Sequence, residues 1–243
     1  MRKHPVPGDR LLPLGLQMLY EDRDIFVVNK PAGLLTIATD KQRERTAYHV
    51  LTDYARKGNA KSPHRVFIVH RLDREASGIL VFARTAKAKL RLQGEWDRTR
   101  KEYLAVVHGK LDKRADTITT YLAENRAHIV HSTTDPRRGK PSQTAYRVLR
   151  ETKAYSLLAV GLLTGRKHQI RVHLAGIGHP IVGDRKYGAQ QDTHKRLALH
   201  ARSITFLHPF SGNPMMFEAT TPGYFRTLVG EFEMAAPPPC AGP

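Results

Sequence analysis

The chain of 243 residues has a single cysteine, Cys240, inside a proline-rich terminal stretch, Pro237-Pro238-Pro239-Cys240. Intrachain disulfides are thereby excluded, and so is a thiolate-rich structural zinc site. No apolar run approaches the ~20 residues that a spanning helix needs. The opening residues, Met1 to Gly15, carry no apolar signal core. A monomer in the cytoplasm with no membrane partner is the expectation. Neither GxxxxGK[ST] nor GxGxxG occurs, which removes the main sequence support for a phosphate-cradling nucleotide fold. Acid is scarce as well: 22 Asp and Glu face 40 Lys and Arg, for a formal net charge of +18. The carboxylates are isolated along the chain, and among the 13 histidines His168 and His173 stand five apart, off a shared helical face. No metal site and no cofactor are expected.

What remains is a strongly basic chain, spread with cation along its whole length. Such a field attracts polyanions and speeds their encounter, so the partner expected is nucleic acid. With 40% apolar residues the chain has enough to build a core. The organisation expected is an N-terminal extension over 1–18, one domain over 19–234 and a disordered tail over 235–243.

Short apolar β-type runs recur at Ile25 to Val28, Val66 to Val69, Ile79 to Phe82 and Tyr103 to Val107. Further strands are predicted at 117–122, 145–149, 156–163 and 203–207. Helices are predicted from Ala47, from a Thr85 cap to about Arg98, over His168 to Leu174 and over Tyr224 to Phe232. Strands outnumber helices without regular strand–helix alternation. That pattern predicts an α+β fold with a mostly antiparallel sheet flanked by helices.

Three stretches carry chemistry. In His70-Arg71-Leu72-Asp73-Arg74-Glu75-Ala76-Ser77-Gly78 a strand delivers an acid into a loop between two arginines. Such a loop suits a catalytic carboxylate held ionised by its neighbours, and it equally suits a structural Asp–Arg pair. Gly165-Arg166-Lys167-His168-Gln169-Ile170-Arg171 is a glycine turn running into a helix, dense in cations. It reads as an anion site or as an ordinary basic surface. Lys101-Glu102-Tyr103-Leu104 puts an aromatic ring on a strand, either in the core or as a platform for a base.

These stretches, in this order, resemble the RluA-type family of RNA pseudouridine synthases. The family's HRLD motif and Ser-Gly turn are matched at His70 to Gly78, with Ala76 where the family has Thr. Its GRTHQIR-type motif is matched at Gly165 to Arg171, with Lys167 where the family has Thr. Asn29-Lys30-Pro31-Ala32-Gly33, Gly178 to Asp184 and Leu199-His200-Ala201 belong to the resemblance too, which spans about Leu19 to Tyr224.

The resemblance implies the pseudouridine-synthase fold, with a long central sheet and a basic cleft. It implies isomerisation of uridine in ribosomal or transfer RNA, ribosomal favoured, with the target base flipped out of its helix. Asp73 then stands as the catalytic aspartate, Tyr103 as the ring against the base, Arg166 as the partner of Asp73 and Ile170 as a wall of the uracil pocket. Arg71, Lys167, His168, Gln169 and Arg171 are expected to contact the substrate. Attack by Asp73 at C6 or at C1′ and proton removal at C2′ stay open as routes. Two other classes explain part of the pattern. A non-catalytic RNA-binding protein accounts for the charge but not for an acid kept among cations. A metal-dependent nuclease would need the ligand cluster that the sequence lacks.

With only about 18 residues ahead of the core, the small N-terminal RNA-binding domain that many family members carry is not expected, and the cleft itself is expected to supply the affinity. Binding should therefore fall steeply with salt, with a log–log slope of about −0.7 per phosphate contact for single strands and about −0.9 for duplex. Filter binding across a salt series measures it, and a flat dependence would remove phosphate contacts as the source of affinity.

Overall fold

The computed structural model describes residues 10–38, 44–188 and 192–233. The tail expected to be disordered, with Cys240, lies outside the described residues, as do residues 1–9. The chain runs β1 (Arg10–Leu11), β2 (Gln17–Glu21), β3 (Ile25–Lys30), α1 (Ala47–Arg56), β4 (Phe67–Ile68), β5 (Ser77–Ala83) and α2 (Ala86–Gly94). It continues β6 (Arg100–His108), β7 (Ala115–Glu124), β8 (Val130–Thr133), β9 (Lys140–Glu151) and β10 (Tyr155–Leu162). Then come α3 (Gln169–Gly176), β11 (Leu199–Leu207), β12 (Pro214–Glu218) and α4 (Gly223–Val229).

The apolar runs form strands covered on both faces. In β3, Phe26 and Val28 enter one core with α1, α3 and α4, while Ile25 and Val27 enter a second core with α2 and β12. β5 divides its side chains the same way, with Leu80 and Phe82 on one face and Ile79 and Val81 on the other. A strand buried on both faces reads as continuous apolar sequence rather than alternation.

Among the described residues the strands form one 12-stranded sheet, in the order β1-β2-β3-β5-β11-β6-β10-β9-β7-β8, with β4 on β5 and β12 on β11. The pairs are antiparallel except β5 with β11, which run parallel through His200–Ser77 and Ala201–Gly78. This junction joins the two halves of the sheet, and it demands glycine at 78. Gly78 has φ +113°, and a Cβ there would lie 2.2 Å from the Ala201 carbonyl oxygen.

The expected α+β fold with a mostly antiparallel sheet is the fold observed. Three details differ. The extension expected over 1–18 is no separate piece where it is described: Leu12, Leu16 and Met18 are buried in the core, and β1 and β2 pair into the sheet. The helix capped by Thr85, whose hydroxyl accepts from the Ala88 N–H, ends at Gly94 and gives way to a 3-10 turn at Trp96–Arg98. The last helix stops at Val229 before Gly230, whose φ is 75°. β2, β8 and β12 lack the β-branched runs that would have announced them.

Buried histidines make the fold sensitive to acid. Burial lowers His173 and His200 from 6.5 to about 4, and burial, then the charge of Lys101, lowers His70 to about 3. Above pH 6.5 these rings are neutral in both states. Below it the unfolded chain takes up protons that the folded chain refuses, so stability falls as pH drops from 6.5 towards 4. Denaturant midpoints measured across that range should decline, and a flat profile would contradict the neutral, buried state of these rings.

Candidate active site

The loop carrying Asp73 is fastened on both sides of the acid. Before it, His70 Nε2 accepts the Val81 N–H of β5 at 3.0 Å. The Thr36 hydroxyl donates to the Leu72 carbonyl at 2.9 Å and accepts the Leu72 N–H at 3.2 Å. After it, Gly33 N–H donates to the Arg74 carbonyl at 2.8 Å. The ammonium of Lys30, fully buried at the end of β3, reaches the carbonyls of Pro31, Leu34, Arg74 and Ala76 at 3.1, 2.8, 3.2 and 2.7 Å. Burial lowers Lys30 to about 7, partly offset by the charges of Asp73 and Glu75. Ala76, where the family has Thr, turns its methyl group into the core.

Asp73 meets Arg171 of α3. Arg171 Nη1 donates to Asp73 Oδ2 at 3.1 Å. Its other face is gripped by Asp184, with Nε to Oδ2 and Nη2 to Oδ1 both at 2.8 Å. Asp184 is itself held by the N–H groups of Lys186 and Tyr187 at 2.9 and 3.0 Å. Burial opposes the charge of Arg171, but the bonds and charge of Asp184, then the charge of Asp73, outweigh it and raise its pKa. The guanidinium therefore stays charged in a buried place.

The expected pairing of Arg166 with Asp73 is corrected. Arg166 is exposed, and its Nε points to the Pro141 carbonyl at 3.5 Å. It lies ahead of α3, while Arg171 follows one residue after Ile170 on the helix face turned to Asp73. Gln169, expected to contact the substrate, also fastens the turn ahead of α3. It is 2% exposed. Its Oε1 accepts from the Thr164 hydroxyl and the Arg166 N–H at 2.8 and 3.0 Å, and its Nε2 donates to Gln143 O and Thr144 Oγ1, each at 2.9 Å.

A cleft of about 510 Å³ opens over the β5–β11–β6 junction. Asp73, Tyr103, Ile170, Arg171, Arg71 and Leu199 line it, with Arg166, Lys167, His168 and Gln169 at its side. Tyr103 sits on β6 between Ala201 of β11 and Val160 of β10. Burial, then the charge of Asp73, raises its pKa, so it is a neutral phenol at physiological pH. Tyr103 and Ile170 are 7% and 4% exposed, which makes them apolar walls rather than surface groups. Arg71 is exposed at the rim. Lys167 is tied to Glu124 of β7 at 2.5 Å.

Away from the cleft, Asp22, Asp24 and His208 come together with ligand atoms within 4.8 Å. His208 Nδ1 accepts the Ser211 N–H at 3.1 Å, so Nε2 carries the hydrogen that faces Asp22 Oδ2 at 3.0 Å. The trio is a hydrogen-bonded lock between the β2–β3 turn and the end of β11. Sequence reasoning missed Lys30, Thr36, Asp184 and Tyr187 as parts of the site. Lys30 and Asp184 did fall in the resembling stretches, and an acid after a glycine turn was the available signal for Asp184.

The family model for RNA pseudouridylate synthase matches residues 24–176. An uncharacterized RNA pseudouridine synthase of Mycoplasma genitalium is 34% identical over 231 residues, covering 93% of this chain and 73% of that protein. Ribosomal large subunit pseudouridine synthase D of Nitrosomonas europaea is 37% identical over 227 residues, covering 88% of this chain and 64% of that protein. Among solved structures, human RNA pseudouridylate synthase domain containing 1 aligns with a TM-score of 0.72 at 25% identity, covering 91% of each chain. The match to the family model takes in the Asp73 loop, Tyr103 and Arg171 together. The chain belongs to the RNA pseudouridylate synthase family, whose enzymes are isomerases.

Proposed function

We propose that the chain isomerises uridine in ribosomal RNA to pseudouridine, with Asp73 as the reacting carboxylate. The observation that carries the reading is the setting of Asp73. One of its oxygens is bound by the buried cation Arg171, and beside it stand the apolar walls Tyr103 and Ile170. A flat, neutral base fits between such walls, and a charged nucleophile or base is needed at its sugar. Ribosomal RNA is favoured because several of the similar curated proteins are named ribosomal large subunit pseudouridine synthases.

The reaction breaks the N1–C1′ bond, turns the uracil and joins C5 to C1′. The proton leaves C5 and N1 gains one, so product and substrate are isomers and no redox partner or donated group is required. Asp73 Oδ1, the oxygen that Arg171 leaves open, would attack C6 or C1′ or remove the proton at C2′. Arg171 keeps the carboxylate aimed. Tyr103, as a neutral phenol, holds the freed uracil in place. The target base must leave its stack to reach this depth, at a cost of a few kcal/mol. Arg71 at the rim is placed to grip the flanking strand, and Arg166 and Lys167 to meet phosphate. Among the described residues no helix is long and apolar enough to cross a membrane, and a cytoplasmic place of action fits an RNA substrate.

The test is pseudouridine formation by the purified protein on ribosomal and transfer RNA in excess chelator. Product in ribosomal RNA is expected. Product in transfer RNA alone would move the substrate assignment, RNA binding without product would favour the non-catalytic class, and metal-dependent cleavage the nuclease. Asp73→Asn should leave RNA binding within about twofold and lower turnover by more than about a thousandfold, the scale of losing an essential nucleophile or base. Residual turnover within tenfold of wild type would take Asp73 out of its role.

The two arginines should separate cleanly. Arg171→Lys keeps a cation but loses the fork that holds Asp73 and Asp184 together, so turnover should fall by about a hundredfold or more. Arg166→Ala should turn over almost normally at saturating RNA while the salt slope flattens by roughly one unit. A collapse of turnover in Arg166→Ala, with Arg171→Lys near normal, would reverse the assignment.

A further inference from the structure

Arg171 binds one oxygen of Asp73 and leaves the other. At that second oxygen, Oδ1, lies Nε2 of His168, 3.7 Å away. His168 stands at the N-cap of α3 in a left-handed backbone conformation, φ 53° and ψ 18°, with no cap bond from its side chain. Such a conformation is uncommon in a residue other than glycine and persists only where other contacts hold it. The His168 side chain is held by Tyr187, from the loop after α3. His168 Nδ1 and the Tyr187 hydroxyl are 2.7 Å apart.

The tautomer follows from the partners. The Tyr187 oxygen already accepts the Val130 N–H of β8 at 3.2 Å. Among the described residues its proton has one acceptor, His168 Nδ1. With Nδ1 accepting, a neutral imidazole carries its hydrogen on Nε2, and that is the nitrogen turned to the carboxylate. Burial lowers the His168 pKa; Asp73 opposes this, and Arg171, Lys186 and Lys167 add to it. Tyr187 also touches the other support of Asp73. Its ring centroid is 5.3 Å from the Arg171 guanidinium, and its backbone N–H donates to Asp184 at 3.0 Å.

We propose that Tyr187 locks His168 as the Nε2–H tautomer and so places a neutral donor against Oδ1 of Asp73, making both of them positioning residues for the reacting carboxylate. This rests on the uridine-isomerising reading of the same cleft. Arg171 alone fixes one oxygen and lets the carboxylate swing about it. A donor facing the second oxygen limits that swing. At 3.7 Å the oxygen is directed but not occupied, as a reacting atom must be. The donor is uncharged, so it neither draws phosphate into the pocket nor competes with Arg171.

The test uses the full chain with an RNA that the wild type modifies, and reads RNA affinity and the single-turnover rate at saturating enzyme separately. Tyr187→Phe keeps the ring and loses the hydroxyl. It should slow the single-turnover rate roughly tenfold and leave affinity within about twofold. His168→Ala should slow it at least as much. His168→Gln, whose amide nitrogen can stand where Nε2 stood, should recover most of the rate. Because Tyr187 acts through His168, adding Tyr187→Phe to His168→Ala should change the rate little further.

An unchanged rate in Tyr187→Phe with a lowered melting temperature would make the pair merely structural and overturn the proposal. Weaker binding with an unchanged rate would make His168 an RNA ligand and overturn it too, as would independent, multiplying effects in the double variant. Should Tyr187→Phe fail to fold, the half-buried His168 decides alone: a rate lost in Ala and restored in Gln supports the proposal, and equal rates in both overturn it. If the wild type forms pseudouridine in no RNA, the functional reading itself falls and takes this inference with it; the other outcomes leave that reading standing.

Discussion

A single guanidinium, buried between two carboxylates, ties the molecule together where it works. Arg171 is 4% exposed and Asp184 2%. Two buried charges this close are stable only when their hydrogen-bonding capacity is filled, and here the fork of Arg171 is matched to Asp184 through two bonds of 2.8 Å. The third bond, to Asp73, reaches out of that closed pair toward the cleft. Asp184 thus sets the direction of Arg171, and Arg171 the direction of Asp73. The chain of command crosses three separate parts of the sequence, and each is anchored by the sheet beneath it. Replacing either outer carboxylate would leave a buried cation short of a partner, so the arrangement bears on stability.

The loop that presents Asp73 is restrained with equal thoroughness by hydrogen bonds that leave its carboxylate alone. An ammonium has three hydrogens, and Lys30 Nζ has four carbonyl oxygens within reach, drawn from both the β3 turn and the Asp73 loop. A fully buried lysine is expensive, and burial does pull its pKa down to about 7. The carbonyl dipoles favour its charged form, and they would be left unsatisfied without it. Together with His70 on Val81 and Thr36 on Leu72, Lys30 fixes residues on either side of the acid while leaving the acid itself half-exposed. Rigid surroundings and one free functional group are the conditions for a preorganised site.

Charge is divided by depth. The cations at the cleft side that carry no deep partner, Arg71 and Arg166, are exposed, and Lys167 sits at the surface on Glu124. The buried cation beside Asp73, Arg171, is balanced by acid. Long-range attraction of a polyanion comes from the first group and from the basic surface as a whole. Local control of the carboxylate comes from the second. Exposed cation therefore stands at the surface, and the cation beside Asp73 is already neutralised by its own acids.

Much of this was legible in the amino-acid order. The β-type runs at Ile25, Ile79 and Tyr103 form the strands they predict, because continuous apolar runs can be buried only within a sheet covered on both faces. The same order singled out Asp73 in its His-Arg-Leu-Asp setting and Tyr103 on its strand, and both do line one cleft. Short strands such as β2 and β12 were not legible, since strands with Met and Gln owe their form to their neighbours rather than to their own composition. Nor was the partner of Asp73. Arg166 and Arg171 are five residues apart, and both belong to one basic motif. Helix α3 begins between them, so the first remains on an exposed turn while the second is carried into the interior. Local sequence determined that a cation would be near the acid. Which cation, and with Asp184 and Tyr187 behind it, was decided only when α3 and the loop after it packed together, because side-chain direction on a helix depends on where the helix starts and what it lies against.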